Sequence, residues 1–591
     1  ANSNHYKDTN LDAYDSNMLD SPENNFNTFS PLIPFDSGTL TEGNLKSNNV
    51  LGGSNVGPMS AFGVTTGKWF CEMYIHDIGG GDFIYAGAFL KRLDSGSRFG
   101  IDLAVPYDGS VYFEGDAKGS SLETSANGHI YGFAVDCDNF TAQVYKTVGG
   151  TYGTYGPEVD WSGSAHKNSG YMGIGHFGAS GVSGRDGGIT VNYGQDPSFA
   201  GAITAGTETP SEGAGVFKLA PPSGFLALCT ANLPEPTIGP NSTTISTDHF
   251  ETILYSASSG SAGAGSSTAQ DIGGLDFKPD WVWIKGRSYA DHHALFDSAR
   301  GVGKYLLSSA VNAEATQSDT LDEFRSDGFG LGADSTALVN YQNNTYVAWN
   351  WKANGGTATA TINESGNNPA AVVQANPTAG FSLITYTGTG ADGTIAHGLS
   401  AKPAWYFVKN RDVNSHNWLV WHDALATNGA MSLNLTSAAI SASARFTSNE
   451  PTTSVFYVGS DGSTNADGEK FVAYCFAEVE GYSKFGSFTG NGLDDGPFIN
   501  LGFRPAFVMS KRTDAVADWQ IMDVARNTTN VMDGFLFPNG TYAETSDAAY
   551  NRDFLSNGFK VRGSEPYVNA DGGTFIYMAF AEAPFKYANA R

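Results

Sequence analysis

The chain is built from short runs in which hydrophobic and polar residues alternate. Residues 68–75 (KWFCEMYI) and 381–386 (FSLITY) show this alternation, and clusters of glycine, asparagine, serine and aspartate separate the runs. A period of two places successive side chains on opposite faces of a β-strand. No long stretch keeps a helical period with caps, so the pattern predicts an all-β protein of sandwiches or barrels. Further predicted strands are residues 83–89, 129–135, 141–145 and 188–193.

One nine-residue stretch occurs three times in the second half of the chain. Its copies are residues 277–285 (FKPDWVWIK), 401–409 (AKPAWYFVK) and 503–511 (FRPAFVMSK). Each copy has a basic residue, a proline, a hydrophobic run and a closing lysine. Proline has a fixed φ angle and no N–H group, so it suits the first residue of a strand. Each copy therefore predicts the start of a strand.

The flanks of the three copies recur as well. An aromatic residue ends an alternating run 24, 17 and 17 residues before the prolines, at Tyr255, Tyr386 and Phe488. An aspartate follows an apolar run 18, 20 and 18 residues after the prolines, at Asp297, Asp423 and Asp523. A last apolar run follows at residues 346–349, 471–474 and 575–578. Four anchors in constant order indicate one domain used three times.

These anchors divide the chain into five segments. Residues 1–20 are polar and aperiodic and are predicted to be an N-terminal arm. Residues 21–236 are predicted to form one larger β-sandwich. Three tandem β-sandwich-like domains follow, named repeat one (residues 237–354), repeat two (355–480) and repeat three (481–591). Repeat two begins with a glycine-rich linker at 355–380, in which one extra strand is expected near residue 371.

Charge and cysteine content narrow the class of protein. Lysine and arginine number 33 against 60 acidic residues, a formal charge of −27. This balance argues against a nucleic-acid binder, which needs a basic face. The chain has no apolar run of 18 residues and no signal-peptide pattern, so we expect synthesis in a cytoplasm and no membrane insertion. Four scattered cysteines without a CxxC motif predict buried free thiols, at Cys71, Cys137, Cys229 and Cys475.

The sequence predicts no catalytic residue, no metal site and no cofactor. GxSxG, HExxH and a Walker loop do not occur, and no GxGxxG lies after a strand and before a helix. The recurring aspartates suit turn caps better than the paired carboxylates of a glycosidase. Histidines fall near matching places of repeats one and two, but repeat three has none there, which argues against zinc. Those histidines are His292, His293, His416 and His422.

Two further features allow a binding role as well as a structural one. Residues 461–469 (DGSTNADGE) carry oxygen-bearing side chains that could wrap Ca²⁺, but their place before a strand favours a hairpin turn. Residues 569–573 occupy the same place in repeat three. Tryptophans could stack on sugars, but those at matching positions, Trp281 and Trp405, are predicted to be core.

The first unit resembles a SPRY-type sandwich of the concanavalin-like class. The resemblance is carried by residues 67–72 (GKWFCE), 132–138 (GFAVDCD) and 171–175 (YMGIG). It is similar to the version found in structural proteins of tailed phages through residues 24–32 (NNFNTFSPL), 192–197 (NYGQDP), 222–229 (PSGFLALC) and 232–234 (NLP). The chain departs from that pattern at Tyr193, where phenylalanine is usual, and in a Gly/Tyr-rich insert at 148–165.

The repeats resemble an uncharacterised β repeat domain of tail-fibre and other virion genes of phages, often marine ones. The matching motifs are residues 387–390 (TGTG), 397–399 (HGL), 349–352 (WNWK) and 581–591 (AEAPFKYANAR). Together the two resemblances cover nearly all of the chain after residue 20.

These resemblances imply a structural, non-enzymatic component of a tailed-phage virion. A tail fibre or receptor-binding appendage that attaches to the host is the first expectation. A capsid-decorating knob or fibre, a tail polysaccharide depolymerase and a SPRY-type cellular adhesin are the alternatives. The implied partners are other virion proteins of tail or capsid, a host-surface glycan or protein, and further copies of the chain, with a trimer fitting a fibre. The implied location is the phage particle.

Overall fold

The alternating runs of the sequence form strands in the computed structural model. Strands hold 43% of the residues and helices 4%, which confirms the all-β class. The chain forms two units, unit one (Ala1–Pro234) and unit two (Glu235–Arg591). Among the residues described, no helix is long and apolar enough to span a membrane. The structure describes residues 24–31, 38–51, 56–77, 84–89, 103–105, 110–113, 116–119, 122–148, 151–163, 173–178, 186–258 and 267–588. The predicted N-terminal arm, residues 1–20, lies outside these ranges.

Unit one contains two sheets, and its described strand pairs are antiparallel except for one short parallel pair. Its strands are β1 (Thr39–Thr41), β2 (Lys46–Leu51), β3 (Val56–Met59), β4 (Lys68–Asp77), β5 (Ile84–Phe89), β6 (Leu103–Val105), β7 (Val111–Phe113), β8 (Asp116–Gly119), β9 (Ile130–Asp136), β10 (Thr141–Val148), β11 (Thr151–Thr154), β12 (Val159–Asp160), β13 (Gly173–Gly178), β14 (Asp186–Asn192) and β15 (Leu226–Ala227). In the described part, the larger sheet has the order β1-β2-β14-β4-β9-β10-β11, with β12 beside β10 and β15 beside β4. The smaller sheet has the order β3-β13-β5-β6-β7-β8.

An aspartate predicted from the sequence to lie in a turn connects two central strands of unit one. The side-chain oxygen of Asp136 accepts the backbone N–H groups of Asp138 (3.1 Å) and Asn139 (3.0 Å), which closes the predicted turn between β9 and β10. Lys68 forms an ion pair with the same carboxylate at 2.9 Å. All four cysteines are buried and free, which confirms that prediction.

Unit two contains the three copies. Its strands in repeat one are β16 (Phe250–Ser256), β17 (Gln270–Gly273), β18 (Trp281–Gly286), β19 (Ala294–Asp297), β20 (Lys304–Leu307), β21 (Ala315–Thr316), β22 (Leu321–Arg325), β23 (Gly328–Leu331) and β24 (Thr345–Trp351). Repeat two has β25 (Ala360–Ile362), β26 (Ala370–Asn376), β27 (Phe381–Thr387), β28 (Gly393–Ala396), β29 (Pro403–Asn410), β30 (Leu419–His422), β31 (Gly429–Ser432), β32 (Ile440–Ser441), β33 (Val455–Val458) and β34 (Lys470–Ala477). Repeat three has β35 (Ser483–Thr489), β36 (Phe498–Asn500), β37 (Phe503–Arg512), β38 (Gln520–Asp523), β39 (Gly534–Phe535), β40 (Thr545–Ser546), β41 (Arg552–Leu555), β42 (Gly558–Val561) and β43 (Thr574–Pro584).

Each repeat has a large sheet with the same strand order. The order β16-β24-β18-β19 in repeat one returns as β27-β34-β29-β30 and as β35-β43-β37-β38. The nine-residue stretch contributes the third strand of each series. Pro403 is the first residue of β29, as predicted, whereas Pro279 lies two residues before β18 and Pro505 is the third residue of β37. A small sheet covers one face of each large sheet. The small sheets are β17-β23-β22, β28-β33 and β36-β42-β41 in the described residues.

Strand alternation gives each large sheet two different apolar faces. In β18, Val282 and Ile284 pack with the small sheet of their own repeat. Trp281 and Trp283 point the other way, into a core that all three repeats share. The shared core contains the aromatic residues Phe250, Trp281, Trp283, Trp349, Trp351, Phe381, Trp405, Phe407, Trp418, Tyr474, Phe476, Tyr482, Phe485, Phe507, Trp519 and Phe580.

Backbone hydrogen bonds close the three repeats into a ring. The N–H of Glu314 in repeat one donates to the carbonyl of Arg411 in repeat two at 2.8 Å. Ala439 of repeat two donates to Thr513 of repeat three at 2.7 Å. Glu544 of repeat three then donates to Arg287 of repeat one at 2.8 Å. The repeats therefore meet at three junctions of matching geometry.

Residues 355–380 are more ordered than the sequence suggests. They were expected to be a linker with one extra strand, but they contribute two strands, β25 and β26, which extend the large sheet of repeat two. Helices are short. They are α1 (Gly462–Asn465), α2 (Pro566–Asn569) and the 3-10 turns Thr230–Asn232, Ser246–Asp248, Ala548–Tyr550 and Phe585–Tyr587.

Candidate functional site

The recurring aspartates lie at the junctions between repeats. Asp297 accepts the backbone N–H of Arg300 at 2.8 Å and forms a buried ion pair with the guanidinium group of that arginine. Across the junction, the hydroxyl group of Tyr474 donates to Asp297 at 2.7 Å. The predicted turn cap is therefore present, and the same carboxylate also joins repeat one to repeat two.

Asp523 repeats this arrangement between repeats three and one. It accepts the backbone N–H of Arg526 at 3.0 Å and the Nε of that arginine at 2.6 Å. Its cross-junction donor is the indole Nε1 of Trp349, at 3.0 Å. Both oxygens of each carboxylate are thus saturated with donors, which suits a structural anion.

A glutamate extends each of these two ion pairs across the junction. Glu314 accepts Nε and Nη2 of Arg411 at 2.9 and 3.0 Å, while Nη1 of Arg300 lies 3.4 Å away. Burial opposes ionisation of Glu314, but the hydrogen bond from Arg411 and the nearby arginine charges outweigh it and lower its pKa. Glu544 is held in the same way by Arg287, at 2.6 and 3.0 Å, and its pKa is lowered too.

At the third junction the register corrects one sequence prediction. Asp297 pairs with Trp281 and Asp523 with Phe507, but the partner of Trp405 is His422, not Asp423. The loop between β29 and β30 is one residue longer than its counterparts, so the position equivalent to Asp297 is His422, and Asp423 lies one residue further along, outside the junction. Asp423 instead has a side chain 47% exposed and an ion pair with Lys402 at 2.6 Å.

The whole ionic set is replaced at this junction. Relative to Asp297, Arg300 and Glu314 of repeat one, repeat two has His422, Leu425 and Ala439. On the facing repeat three, Met578 stands in the place of Tyr474, and Thr513 in that of Arg411. Met578 has no polar hydrogen to donate, and the residue that faces it, His422, is not a carboxylate that would need such a donor. The junction residues therefore vary as one set, as expected of groups that satisfy one another.

His422 is neutral and structural. It is fully buried, and burial lowers the pKa of its imidazole to about 3. Its Nδ1 accepts the backbone N–H of Ala424 at 2.8 Å. His293 is likewise buried, and its Nδ1 accepts Nε1 of Trp283 at 2.9 Å. The two histidines occupy different positions of their repeats, so their apparent match in the sequence is accidental.

The tryptophans of unit two serve packing rather than an open sugar platform. Trp418 donates Nε1 to the carbonyl of Leu307 in repeat one at 2.8 Å. Trp519 donates Nε1 to the carbonyl of Ser432 in repeat two at 3.0 Å. Trp281 and Trp405 are buried, which confirms their predicted core role.

The lysines that close the nine-residue stretches are also internal. Their ammonium groups donate to carbonyls of the following loop, and Lys409 reaches His416 and Val311 at 3.0 and 3.1 Å. Burial lowers the pKa of Lys285, Lys409 and Lys511 to about 8.

Residues 461–469 form a capped turn. The side chain of Asp461 accepts the N–H of Ser463 at 2.7 Å and caps α1, which precedes the last strand of repeat two. Asn465 ties this turn to the loop after β27 through Thr389. In the described residues no group of three or more His, Cys, Asp or Glu side chains is arranged to hold a metal ion.

The open candidate site is a cleft of about 490 Å³ in unit one. Strands β7 and β8 form one side, and the segment around β12 forms the other. Trp161 lies in its wall, 7% exposed, with its backbone N–H donating to the carbonyl of Phe140 at 2.9 Å. Within the described residues the indole Nε1 of Trp161 has no hydrogen-bond partner. The lining of the cleft includes Phe113, Lys118, Pro157, Glu158, Asp160 and Trp161.

The cleft combines an apolar wall with charged groups at its edge. Glu158 and Asp160 are exposed, and Lys118 forms an exposed ion pair with Asp116 at 3.3 Å. Hydrogen bonds from Ser162 lower the pKa of Asp160, so this carboxylate is ionised at neutral pH. Sequence reasoning did not predict the site. The signal was present, because six of its lining residues belong to the insert at 148–165, where the chain departs from the pattern of its first unit.

The molecule is thus an all-β protein whose recurring polar residues are internal and whose described open cleft lies in unit one. It belongs to the family of a domain of unknown function (DUF7483), which matches residues 245–584. The matched range spans all three repeats together.

Solved structures are similar to a smaller part of the chain. The structure of stonustoxin matches 28% of this chain with 16% identity and a TM-score of 0.20. The match covers only 27% of the toxin chain. The PSpry domain of TRIM65 is 13% identical over 28% of this chain and 91% of its own, with a TM-score of 0.20. The basic winged bean lectin with Tn-antigen is 13% identical over 28% of this chain and 94% of its own, with a TM-score of 0.21. SPRY and lectin β-sandwiches are the folds represented. No curated protein sequence matches the chain.

Proposed function

We propose that this protein is a non-enzymatic, host-binding component of a tailed-phage virion, either a tail fibre or a receptor-binding appendage. The proposal rests on the resemblance of both halves of the sequence to virion proteins and on one structural observation. That observation is the cleft of unit one, where an aromatic wall adjoins ionised and polar groups.

A host-surface glycan is the ligand that this chemistry suits. Pockets of a few hundred Å³ with apolar walls and a few polar groups are typical of small-ligand sites. The carboxylates of Glu158 and Asp160 accept hydrogen bonds from sugar hydroxyl groups, and Trp161 forms part of the apolar wall behind them. Linked copies on one particle would raise the effective concentration, so modest affinity at each site suffices.

Unit two supports a display role. Asp297 and Asp523 are saturated by donors at the junctions, Asp423 is held in an ion pair with Lys402, and His293 and His422 are buried. Such a ring gives rigidity, which reduces the entropy lost when a displayed site binds.

Binding of the fluorescently labelled protein to host cells tests the proposal. We expect saturable binding and competition with infection, and weaker binding of Glu158→Gln. Glu212→Gln, an exposed acid of unit one that does not line the cleft, is the matched control. Absence of both binding and competition would refute the receptor role.

Two further readouts separate the alternatives. Electron micrographs of labelled virions distinguish a tail position from a capsid-decorating one. An assay for new reducing ends after incubation with host capsule tests for a depolymerase, for which we expect no release.

A further inference from the structure

Repeat three carries a row of aromatic rings that reaches the protein surface. Tyr542 is 63% exposed and Tyr567 is 42% exposed. Between ring centres, Tyr542 lies 6.1 Å from Phe537, which lies 5.2 Å from the buried Phe535. The half-buried ring of Tyr550 lies 4.8 Å from Phe535 as well. Ring contacts therefore connect Tyr542 to Tyr550.

Carboxylates lie around the Tyr550 end of this row. Burial raises the pKa of the Tyr550 hydroxyl group, and Glu565, Asp518 and Asp547 raise it further. Tyr567 adds to the same shift, so it too lies near Tyr550. Asp547 is exposed, while Asp518 and Glu565 are half-buried. The aromatic–acidic surface consists of Tyr542, Tyr550 and Tyr567 together with these three acids.

Two cations near this surface have other partners. Arg512 donates to the carbonyl of Pro566 at 3.1 Å, and its guanidinium group forms an ion pair with Asp514 at 2.8 Å. The ammonium group of Lys511 is close enough to Asp518 for their charges to interact. It is buried, however, and it donates to the carbonyl of Arg512 at 2.6 Å. The accessible charge of the aromatic–acidic surface is therefore negative.

Repeat two has the same fold without these rings. Two asparagine side chains that accept equivalent backbone N–H groups fix the alignment, because Asn539 matches Asn434 and Asn569 matches Asn465. Counted from these anchors, the residues Phe537, Tyr542 and Tyr567 correspond to Ser432, Ser437 and Ser463. All three counterparts are serine, so the fold does not require aromatic rings at these places.

Exposed aromatic side chains that the fold does not require indicate a binding surface. Apolar groups in contact with water favour burial against a partner, and tyrosine is enriched at protein interfaces because it is both apolar and polar. The carboxylates beside the rings decide the charge of that partner, since complementary potentials favour association and like charges oppose it.

We propose that the aromatic–acidic surface binds an arginine- or lysine-rich segment of a partner protein. Cationic side chains stack on the faces of tyrosine rings and pair with neighbouring carboxylates. The formal charge of −27 on the whole chain attracts such a segment from a distance. A second copy of the chain would bring like charges together at this surface, which disfavours it as the partner.

Fluorescence anisotropy of a labelled peptide tests the proposal. The probe is a short peptide of alternating arginine and glycine, and the same peptide with glutamine in place of arginine is its neutral control. With the full-length protein we expect saturable binding of the arginine peptide that weakens with salt, and no binding of the glutamine peptide. Equal binding of the two peptides, or binding of neither, would overturn the proposal.

Substitution of the rings tests their part in binding. Tyr542→Ser/Tyr567→Ser introduces the serines of repeat two and should weaken binding of the arginine peptide about fivefold or more. Leu435→Ser/Ile440→Ser removes two exposed apolar side chains of repeat two and should leave the affinity unchanged. Equal affinities of the two variants would count against the aromatic–acidic surface.

A charge-matched pair of variants separates this surface from general attraction to an acidic protein. Asp547→Asn/Glu565→Gln and Glu364→Gln/Asp392→Asn remove the same negative charge, and the second pair is exposed on repeat two. We expect the first variant to weaken binding of the arginine peptide about tenfold and the second to weaken it only slightly. Equal weakening would show that the attraction is not local and would overturn the proposal.

A further measurement uses the unaltered protein. The arginine peptide is given a photoreactive group, crosslinked to the full-length protein, and its attachment sites are located by mass spectrometry. Crosslinks to fragments that contain Tyr542 or Tyr567 would support the proposal. Crosslinks confined to unit one, or to repeats one and two, would refute it.

Discussion

The indole Nε1 of Trp349 in repeat one donates to the carboxylate of Asp523 in repeat three across a distance of 3.0 Å, and the two residues are 174 positions apart in the chain. The bond joins the first repeat to the last. The contact of Tyr474 with Asp297 is its counterpart between repeats one and two. Unit two is therefore held together by donors and acceptors that each repeat offers to another.

Removing the Tyr474 hydroxyl group should weaken unit two. Tyr474→Phe leaves the buried Asp297 carboxylate without its cross-junction donor, and hydrogen bonds to charged groups contribute roughly 1.5–3 kcal/mol. We expect a loss of that order in the free energy of unfolding measured with urea. Tyr542→Phe, whose side chain is largely exposed, is the control and should change little.

The ionic set at a junction should be replaceable only as a whole. Asp523→Asn leaves Arg526 buried without its carboxylate, which should cost about 3–5 kcal/mol. The fourfold variant Arg287→Thr/Asp523→His/Arg526→Leu/Glu544→Ala copies the repeat two and three junction. It removes the buried charges together, so it should be less destabilised than Asp523→Asn alone. If urea unfolding shows the four losses to be additive, the interpretation of the junction as one coupled set fails.

His422 should make unit two sensitive to acid. Its folded pKa of about 3 lies below the ordinary value, so the unfolded chain binds the proton more strongly. Stability is therefore present above pH 6.5 and is lost as the pH falls, by about 1.4 kcal/mol per pH unit for this one group. His422→Leu should reduce the slope between pH 6.5 and 5 by that amount.

Glu72 should act with the opposite sign in unit one. Burial raises the pKa of its carboxyl group to about 7, against hydrogen bonds from the backbone of Lys218 and Leu219 and from Asn192. Its favourable contribution is present below pH 4.5 and is lost as the pH rises towards 7. Relative to Glu72→Gln, the unaltered protein should lose about 1.4 kcal/mol per pH unit across that window. The other titratable groups of unit one, His76 among them, are the same in both proteins. Their contributions to the pH dependence of stability therefore cancel in the difference.

Local patterns were enough to predict the strands and the copies. Residues 68–75 and 381–386 carry a period of two, and they lie in β4 and β27. The core role of Trp281 and Trp405 followed from their matching positions. These properties depend on residues close together in the chain, which a single sequence records directly.

The junctions could not be predicted, because they depend on register and on contacts between distant residues. Counting from the prolines does not find the equivalent residue in repeat two. A spacing of 18 would select Trp421, the acid at a spacing of 20 is Asp423, and hydrogen-bond pairing selects His422, at a spacing of 19. Spacing also says nothing about which repeat supplies the donor to Asp523. The cleft was marked only as a departure from a pattern.

The closed ring fixes how many copies this architecture can hold. Each repeat bonds its successor, and the third returns to the first, so every repeat already has two neighbours. Loss of one copy would open the aromatic interior to water, and insertion of a fourth would have to break an existing junction. Unit two therefore cannot gain repeats by duplication, as linear repeat proteins commonly do. Its sequence can vary by substitution within the three copies.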